Sequence, residues 1–494
     1  MCMENSFAES AGPAMIATVR FLLSCAAIAV APVHATEIFV SSAGSDTTGN
    51  GSAAAPYRTL AHTLDPANGI VAAGDTVTIR GPAGSNLYEE CEVRLRVRLT
   101  LRSPPGERAH IHCDIANVDT VAVQIDPEAS GSRLSNLEIS GGYYYGVFLQ
   151  TDWEQGGNEA GHGPLDVVLE DLHIHDTGRD AIKITPHSDR AIIRRSLIER
   201  SGAIYPPGTP TDEKNAEGID NVNGSGMVVE DSTIRDTATT GLYFKGGAAN
   251  VLIQRNRIES AGAAGILVGF DTSPEFFDLD DNPGWYEALN ATVKNNIVIG
   301  ANWAGIGLYA SKDALVANNT VVDTARAIQA GIYFGVTLQD YDPNAGRPPN
   351  TNPRIVNNLV VQDGGDCAGI RWADEIEPGG LHGLIGPAGM DFNAFHNRAG
   401  ACVFFDSRPG SALGSGGFSE WQAGVGSDAH SFETPITVQA DGHLLPGSAA
   451  IDAGTALAQV SDDIDRQPRT APLDIGADEA GDGTLFLDGF ESLP

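Results

Sequence analysis

Large aromatic side chains are scarce in this sequence, at 7% of 494 residues, while glycine is abundant at 58. A chain this long is a poor candidate for one globular core. A solenoid has no such limit, because each repeat packs only on its neighbours. Bases are scarce too: 30 Lys and Arg stand against 64 Asp and Glu, a net charge of −34. Without a basic stripe, nucleic acid is not an expected partner, and a bare polyanion would need metal ions or a local basic patch to bind. The simplest consequence of the charge is a soluble, acidic, secreted surface. After Ala35 no apolar run is long enough to span a bilayer. The cysteines lack any short Cys-x-x-Cys spacing, so metal binding is the minor reading for them.

What is present begins with an export signal. Arg20 precedes the apolar run Phe21–Ala31, and Val33-His34-Ala35 fits a small-residue cleavage site. Residues 1–35 are read as a signal peptide, and the mature protein as a monomer, secreted or held at the cell surface. Glu4 and Glu9 are out of place ahead of such a signal, which leaves Met15 as an alternative start.

The organising pattern is a pair of short apolar strands repeated along the chain. One strand opens on a small residue: Ala181-Ile182-Lys183-Ile184, Gly218-Ile219-Asp220, Gly241-Leu242-Tyr243-Phe244, Gly265-Ile266-Leu267-Val268, Gly305-Ile306-Gly307-Leu308, Gly331-Ile332-Tyr333-Phe334 and Gly369-Ile370-Arg371-Trp372. The other matches Leu169–Ile174 with Ile193–Ile198 and recurs as far as Ile355–Val360. Its fourth position runs Leu172, Ser196, Ser232, Asn256, Asn296, Asn319, Asn358. Where no loop intervenes the period is 23 or 24 residues, as from Leu172 to Ser196. That is too short for a propeller blade, and the leucine ladder of a leucine-rich repeat is missing. An all-β solenoid, a parallel β-helix, remains. The asparagines should stack in a coil corner, where Asn tolerates left-handed backbone, at the strand spacing of about 4.8 Å. His173 and His175 read as structural or surface residues.

The N-terminal cap and first coil occupy 36–90, with a strand Glu37–Val40, a short helix beginning near Pro56–Leu60, and a strand Thr76–Arg80. Coils fill 91–400. Val93–Leu101 alternates and is expected as one early strand, its Arg94, Arg96 and Arg98 solvated along with Arg102. Residues 391–450 lose the repeat, an irregular capping segment spans 401–480, and 481–494 form a tail. Cys91 and Cys113 are 22 apart, about one coil, so they can bridge adjacent turns, which leaves Cys367 with Cys402. Loops 151–165, 271–290, 337–353 and 376–390 leave just after the small-residue strand, and 202–216 arrives just before one. Together they should wall a groove above that strand stack.

Strand alternation decides which side chains face the groove. Ile182, Ile219, Leu242, Ile266, Ile306, Ile332 and Ile370 should point inward, with Ile184, Phe244, Val268, Leu308, Phe334 and Trp372. Lys183, Asp220, Tyr243, Leu267, Gly307, Tyr333 and Arg371 should point out, as should Thr185, Lys245, Gly269 and Tyr309. Asn221 falls at an inward position and needs a partner there.

The N-terminal cap resembles that of secreted right-handed parallel β-helix proteins, among them polysaccharide lyases. The segments Leu444–Gly454, Asp463–Arg466 and Asp474–Glu479 resemble the choice-of-anchor segment that ends many secreted bacterial β-helix proteins. Covering the last coil is the expected task of such a segment. Phe244-Lys245-Gly246-Gly247 resembles the stretch that carries a catalytic Arg in chondroitinase-B and alginate lyase relatives, with Lys245 in its place. Glu217 and Asp220 stand where that family places acidic metal ligands, and Val222-Asn223-Gly224 departs from its next turn. The pectate-lyase type, a cluster of aspartates with one lysine, is matched in residue kinds.

The resemblance implies uronate β-elimination. That chemistry needs neutralisation of the uronate carboxylate, a base for the C5 proton and an acid for the departing oxygen. The candidates are Lys183, Lys245 and Tyr243 for catalysis, Asp180, Glu217 and Asp220 for Ca²⁺, and Arg371, Tyr309 and Tyr333 for contact with a polysaccharide. A plain surface Lys–Asp pair is the competing account of Lys183 and Asp220. The acidic loop Asp271–Asn282 can bind Ca²⁺ or be merely solvated, and Trp285, Tyr286 and Trp303 offer further ring surfaces. A glycoside hydrolase and a non-catalytic adhesive β-helix are the alternatives. No Asp–Asp pair lies on a groove strand, which disfavours the polygalacturonase type.

Overall fold

The computed structural model describes residues 35–480, apart from 83, 153–161, 338–345 and 375–378. The signal expected at 1–35 lies outside the described residues but for Ala35. So do the tail 481–494 and parts of three groove loops. Three sheets of 12 strands each run the length of the molecule, and the chain visits them in turn. From the strand Ile182–Ile184 it passes to Ile192–Arg194, then to Leu197–Glu199, and returns beside its start at Ile219–Val222. Pairing is parallel throughout these sheets except at the last pair, Phe404–Asp406 with Gly414–Gly416. The protein is a right-handed parallel β-helix, and the sheet containing Ile182–Ile184 is called the floor below. Among the described residues no helix is long and apolar enough to cross a membrane.

The core is a stack of inward side chains in register. Ile182, Ile219, Leu242, Ile266, Ile306 and Ile332 pair directly and are fully buried. The next inward column runs Ile184, Asn221, Phe244, Val268, Leu308, Phe334. Asn221 resolves its own burial by closing a turn. Its Nδ2 donates to Gly224 O at 2.8 Å, and Gly224 N donates to its Oδ1 at 2.8 Å. The strands open on glycine because the turn into the floor is tight. A Cβ on Gly265 would sit 2.3 Å from Val298 Cγ1, and one on Gly305 2.3 Å from Val321 Cγ1.

Gly369 is a different glycine, and it shifts the expected register. Ile332 pairs with Ala368, Tyr333 with Gly369 and Phe334 with Ile370. Ile370 thus fills the second inward column. Trp372 leaves the core for a short antiparallel pairing with His382, and Gly369 rather than Arg371 continues the outward column. A Cβ on Gly369 would meet the Phe405 ring at 2.2 Å. This glycine makes room for a ring on the outer face, not for a turn.

Two further expectations are corrected. Val93–Leu101 is not one strand. Val93–Leu95 belongs to the floor and Thr100–Arg102 to the second sheet, and Arg94 is tied to Asp126 at 2.5 Å. The asparagine ladder exists, but the left-handed residue is the one before each ladder position: Arg255, Asn295, Asn318 and Asn357 have positive φ. The ladder amides instead bond one another along the stack. Asn256, Asn296 and Asn319 each donate Nδ2 to the next Oδ1 at 3.0 Å, and Asn358 donates to Asn393 at 3.1 Å. Asn393 is a ladder position within 391–450, the stretch expected to lack the repeat, so the coils run on to Phe404–Asp406.

The ends are closed by two helices. Leu60–Leu64 buries Leu60 and Leu64 on the first coil, its N-terminal amides held by Thr59 and Glu90. At the other end Phe418–Val425 sets Trp421 against Phe404, ring centroids 5.4 Å apart. The later segment, expected to cover the last coil, instead lies along the flank. Ile436, Val438, Leu444 and Ile475 pack on Leu359 and Val361, and Arg466 reaches back to Asp231. Disulfides join Cys91 to Cys113 and Cys367 to Cys402.

Candidate functional site

The outward column of the floor reads Phe148, Lys183, Asp220, Tyr243, Leu267, Gly307, Tyr333, Gly369, Phe405 in direct register. Its charged end is a compact cluster. Lys183 Nζ donates to Asp220 Oδ2 and lies 3.9 Å from Asp180 Oδ2. Asp180 comes from the turn before the Lys183 strand, and Glu217 from the matching turn one coil on, where Glu217 N donates to Asp180 Oδ1 at 3.1 Å. Asp180, Glu217 and Asp220 are all buried, and one oxygen of each lies within 4.8 Å of the others.

Burial, joined by the charges of Glu217 and Asp220, lifts Asp180 well above the usual carboxylate range. Burial and then the Asp220 charge raise Glu217. Burial would raise Asp220 as well, but the cations Lys183 and Lys245 outweigh it and hold it low. Burial alone would lower Lys183; the Asp220 and Asp180 charges reverse that and raise it. A base working near neutral pH needs the opposite shift. As placed here, Lys183 is therefore the internal counter-ion of the cluster.

Lys245 is the contrasting lysine. It lies two coils beyond Lys183, paired with Val222 in the ladder. Its Nζ sits 4.5 Å from the centroid of the Tyr243 ring and 5.8 Å from that of Phe270. Among the described residues it makes no hydrogen bond or ion pair, and its side chain is only partly buried. Tyr243 beneath it is buried, which raises its phenol well above its ordinary range, with the Asp220, Glu217 and Asp180 charges adding to the effect.

Several cluster members carry no sequence signature. The Asn215 amide, oriented as its neighbours require, donates to Glu217 Oε2 at 2.9 Å and Asp180 Oδ1 at 3.3 Å. Thr239 Oγ1 donates to Glu217 Oε1 at 2.8 Å. Tyr145, its phenol pushed up to about 12 by burial, sets its ring 5.9 Å from Lys183 Nζ. Only the run Tyr143-Tyr144-Tyr145 beside the repeat could have drawn attention to it. Glu287 fixes the backbone just after Lys245 by accepting from Gly246 N at 2.9 Å, and it pairs with the buried Arg347 at 3.0 Å. Glu287 in loop 271–290 is thereby clamped to Arg347 beside the strand end that carries Lys245.

The residues expected to hold sugar are placed differently. Tyr309 and Tyr333 are 5% and 4% exposed. They pack with Tyr243, Leu267, Phe270, Trp303 and Phe405 in an apolar layer over the floor. Tyr309 lies across Gly335, whose Cβ would meet its ring at 2.2 Å, and Gln329 donates to its hydroxyl at 2.9 Å. These rings are covered, because the floor glycines let them lie flat against the sheet. Arg371 stands beside Tyr333, with a hydrogen bond between them. In the acidic loop, Asp278 caps its own turn by accepting from Asp280 N at 3.1 Å. Trp285 packs on Phe277, ring centroids 5.2 Å apart, and the Tyr286 hydroxyl bonds Thr351 at 3.1 Å.

The three carboxylates are suitable ligands for Ca²⁺, which takes oxygen donors. Among the described residues, Asp180 Oδ2 and Asp220 Oδ1 are buried oxygens without a hydrogen-bond partner. Such orphaned acceptors are costly, and a cation between them would satisfy both. The donor set fits.

A family model described as "Right handed beta helix region" matches residues 121–282. No curated protein sequence matches the chain. Among solved structures, pectate lyase Pel9A aligns at 14% identity over 90% of this chain and 96% of that one, with a TM-score of 0.53. The Azotobacter vinelandii mannuronan C-5 epimerase AlgE6 A-module aligns at 14% identity over 74% of this chain and 85% of that one, TM-score 0.46. PfbA, a surface adhesin of Streptococcus pneumoniae, aligns at 12% identity over 72% and 89%, TM-score 0.42. At such identities the likeness is one of fold, and a fold hosts many functions. The chain is a right-handed parallel β-helix protein that resembles polysaccharide lyases in architecture.

Proposed function

We propose that this protein is an exported polysaccharide lyase that cleaves uronate-containing glycans by β-elimination, with Lys245 as its base. The observation that carries the proposal is the Lys245 ammonium, without a hydrogen bond or ion pair among the described residues and held over the Tyr243 ring beside a buried cluster of three carboxylates. In β-elimination the C5–H bond breaks and its proton passes to a base. The C5 electrons form the C4=C5 double bond, and the C4–O bond breaks as the departing oxygen gains a proton. Lys245 is the cluster's free basic side chain, whereas Lys183 is committed to Asp220 and Asp180. Asp180, Glu217 and Asp220 would hold Ca²⁺, which when bound supplies charge to neutralise the uronate carboxylate. Tyr243 props Lys245 from below. The clamp of Glu287 on Gly246 keeps the end of that strand in place, a precondition for positional catalysis.

Export is supported by the two disulfides, which belong to oxidising compartments. The test is to incubate the protein with a panel of uronate polysaccharides, with Ca²⁺ or with chelator, and follow the absorbance of unsaturated ends. Activity that needs Ca²⁺ and vanishes in Lys245→Ala is expected. Silence across the panel overturns the lyase assignment and leaves a non-catalytic adhesive role or a hydrolase.

A further inference from the structure

The third sheet carries a second cluster on its outer face, on strands that lie toward the N-terminus of the floor cluster, the last of them, His173–His175, running directly into the turn that carries Asp180. The strands Ala109–Cys113, Leu137–Gly141 and His173–His175 are neighbours in register. One outward column reads His110, Glu138, His173, and the next His112, Ser140, His175. The inward residues between them, Ile111, Ile139 and Ile174, are core. The side chains of His110, Glu138 and His175 are only 20%, 25% and 12% exposed. They are therefore packed against one another, although their sheet face is the outer one.

The hydrogen bonds single out three donor atoms. Glu138 Oε1 lies 3.1 Å from His175 Nε2 and 3.5 Å from His110 Nδ1. One ligand atom from each of the three residues falls within 4.8 Å of the others. Each imidazole has its other nitrogen engaged elsewhere. His175 Nδ1 meets Asp176 Oδ2 at 2.6 Å, and Arg200 anchors that carboxylate by donating to Oδ1 at 2.8 Å and to Oδ2 at 3.0 Å. His110 Nε2 meets Ser140 Oγ at 2.7 Å, and Ser140 Oγ meets His112 Nδ1 at 2.7 Å. A consistent assignment has His175 donating Nδ1–H to Asp176, His110 donating Nε2–H to Ser140, and Ser140 donating to His112. In the metal-free protein Glu138 Oε1 accepts from His175 Nε2–H; loss of that proton to solvent on metal binding would leave lone pairs on His175 Nε2 and His110 Nδ1 aimed at the same space as Glu138 Oε1. A ligating histidine that gives its other N–H to a carboxylate is the usual arrangement around protein-bound metals. In a tetrahedral zinc site with bonds of about 2.0–2.1 Å, neighbouring donor atoms stand roughly 3.3 Å apart. The two separations measured to Glu138 bracket that value. His173 stacks on His175 with centroids 4.3 Å apart, but its Nε2 is taken by Glu199 at 3.1 Å, so it stays outside the donor set.

We propose that His110, Glu138 and His175 form a binding site for a borderline transition-metal ion, Zn²⁺ in the first instance, with solvent completing its coordination. Two imidazoles and one carboxylate suit Zn²⁺ and not Ca²⁺, whose preferred donors are all oxygen. The ion would tie together three successive coils, starting from the strand Ala109–Cys113 whose last residue is bonded to Cys91.

The test uses the full chain without a polyhistidine tag, stripped of metal by chelator. Titration with Zn²⁺ in a calorimeter is expected to show a single saturable site. Co²⁺ in its place should give the visible d–d bands of a four- or five-coordinate ion. His175→Gln and His110→Gln should each abolish the binding. Asp176→Asn should weaken it about 10–100-fold, and His443→Gln should leave it intact. Zn²⁺ should raise the Tm of the wild-type protein and not that of His175→Gln. Absence of a saturable Zn²⁺ site in the wild type overturns the proposal, and so does undiminished binding in a folded His175→Gln. The Co²⁺ spectrum of the wild type decides the matter even if the variants fail to fold.

Discussion

The two ends of the floor share a backbone and differ in what they display. At Lys183, Asp220 and Tyr243 the outer face carries charge, and at Leu267, Tyr309, Tyr333 and Phe405 it carries a packed apolar layer. The ladder is continuous across both. One outward residue per coil is thus enough to change the character of the face, because in-register stacking adds like to like. The charged end is also where neighbouring turns send Asp180, Glu217, Asn215 and Thr239 inward to meet the strand residues. At the aromatic end glycines at 307, 335 and 369 clear space, and rings fill it. Chemistry is therefore expected at the first end and packing at the second.

The largest test of that division is the pair of lysines at the charged end. Lys245→Ala should reduce cleavage of a responsive glycan about 10²–10⁴-fold and leave the denaturation midpoint unchanged. Full activity in Lys245→Ala would remove the base while keeping the site. Lys183→Met should instead destabilise the fold by about 3–5 kcal/mol, because it strands Asp220 and Asp180 as buried carboxylates. The double variant Lys183→Met/Asp220→Leu should regain a part of that in denaturant unfolding. Equal stability of wild type and Lys183→Met would mean that Lys183 is not the counter-ion.

At the aromatic end Tyr309→Ala should cost about 3 kcal/mol and Tyr309→Phe about 1 kcal/mol, the worth of its bond to Gln329. In Tyr309→Phe, KM should not move. A raised KM would put the tyrosine back in contact with the glycan. The smallest effect lies off the floor, in the flank segment. The hydrogen bond to Asp465 raises His443 to about 9, the Asp478 and Asp441 charges adding to it against burial. A histidine raised in the folded state gives stability that is complete below about pH 6.5 and is lost as pH rises through about 9. Thermal melts should show such a loss of stability between about pH 6.5 and 9 in the wild type, absent in His443→Gln.

Much of the floor was legible beforehand, since strand parity is local. Lys183, Asp220 and Tyr243 share a column because period-2 alternation and one repeat length place them there. The register error at Gly369 shows where locality ends. Gly265 and Gly369 look alike in sequence, yet one is small for a turn and the other for the Phe405 ring. Lys183 and Lys245 likewise looked equivalent. Their difference rests on Asp180 and Asp220 closing around the first, while the second has the Tyr243 and Phe270 rings against it and, among the described residues, no ion pair or hydrogen bond.

The sequence by itself determined that this chain is a solenoid of short strands, which residues face in and which out, and that asparagines line one corner. Those properties follow from alternation and repeat length, which any stretch of a few residues carries. Only the tertiary structure decided which outward groups are free, paired or covered, that the C-terminal segment lies on the flank, and that His110, Glu138 and His175 converge. Such facts depend on contacts between coils and across inserted loops. The energy of a charge or a ring is set by whatever lies against it, and the sequence does not record that neighbour.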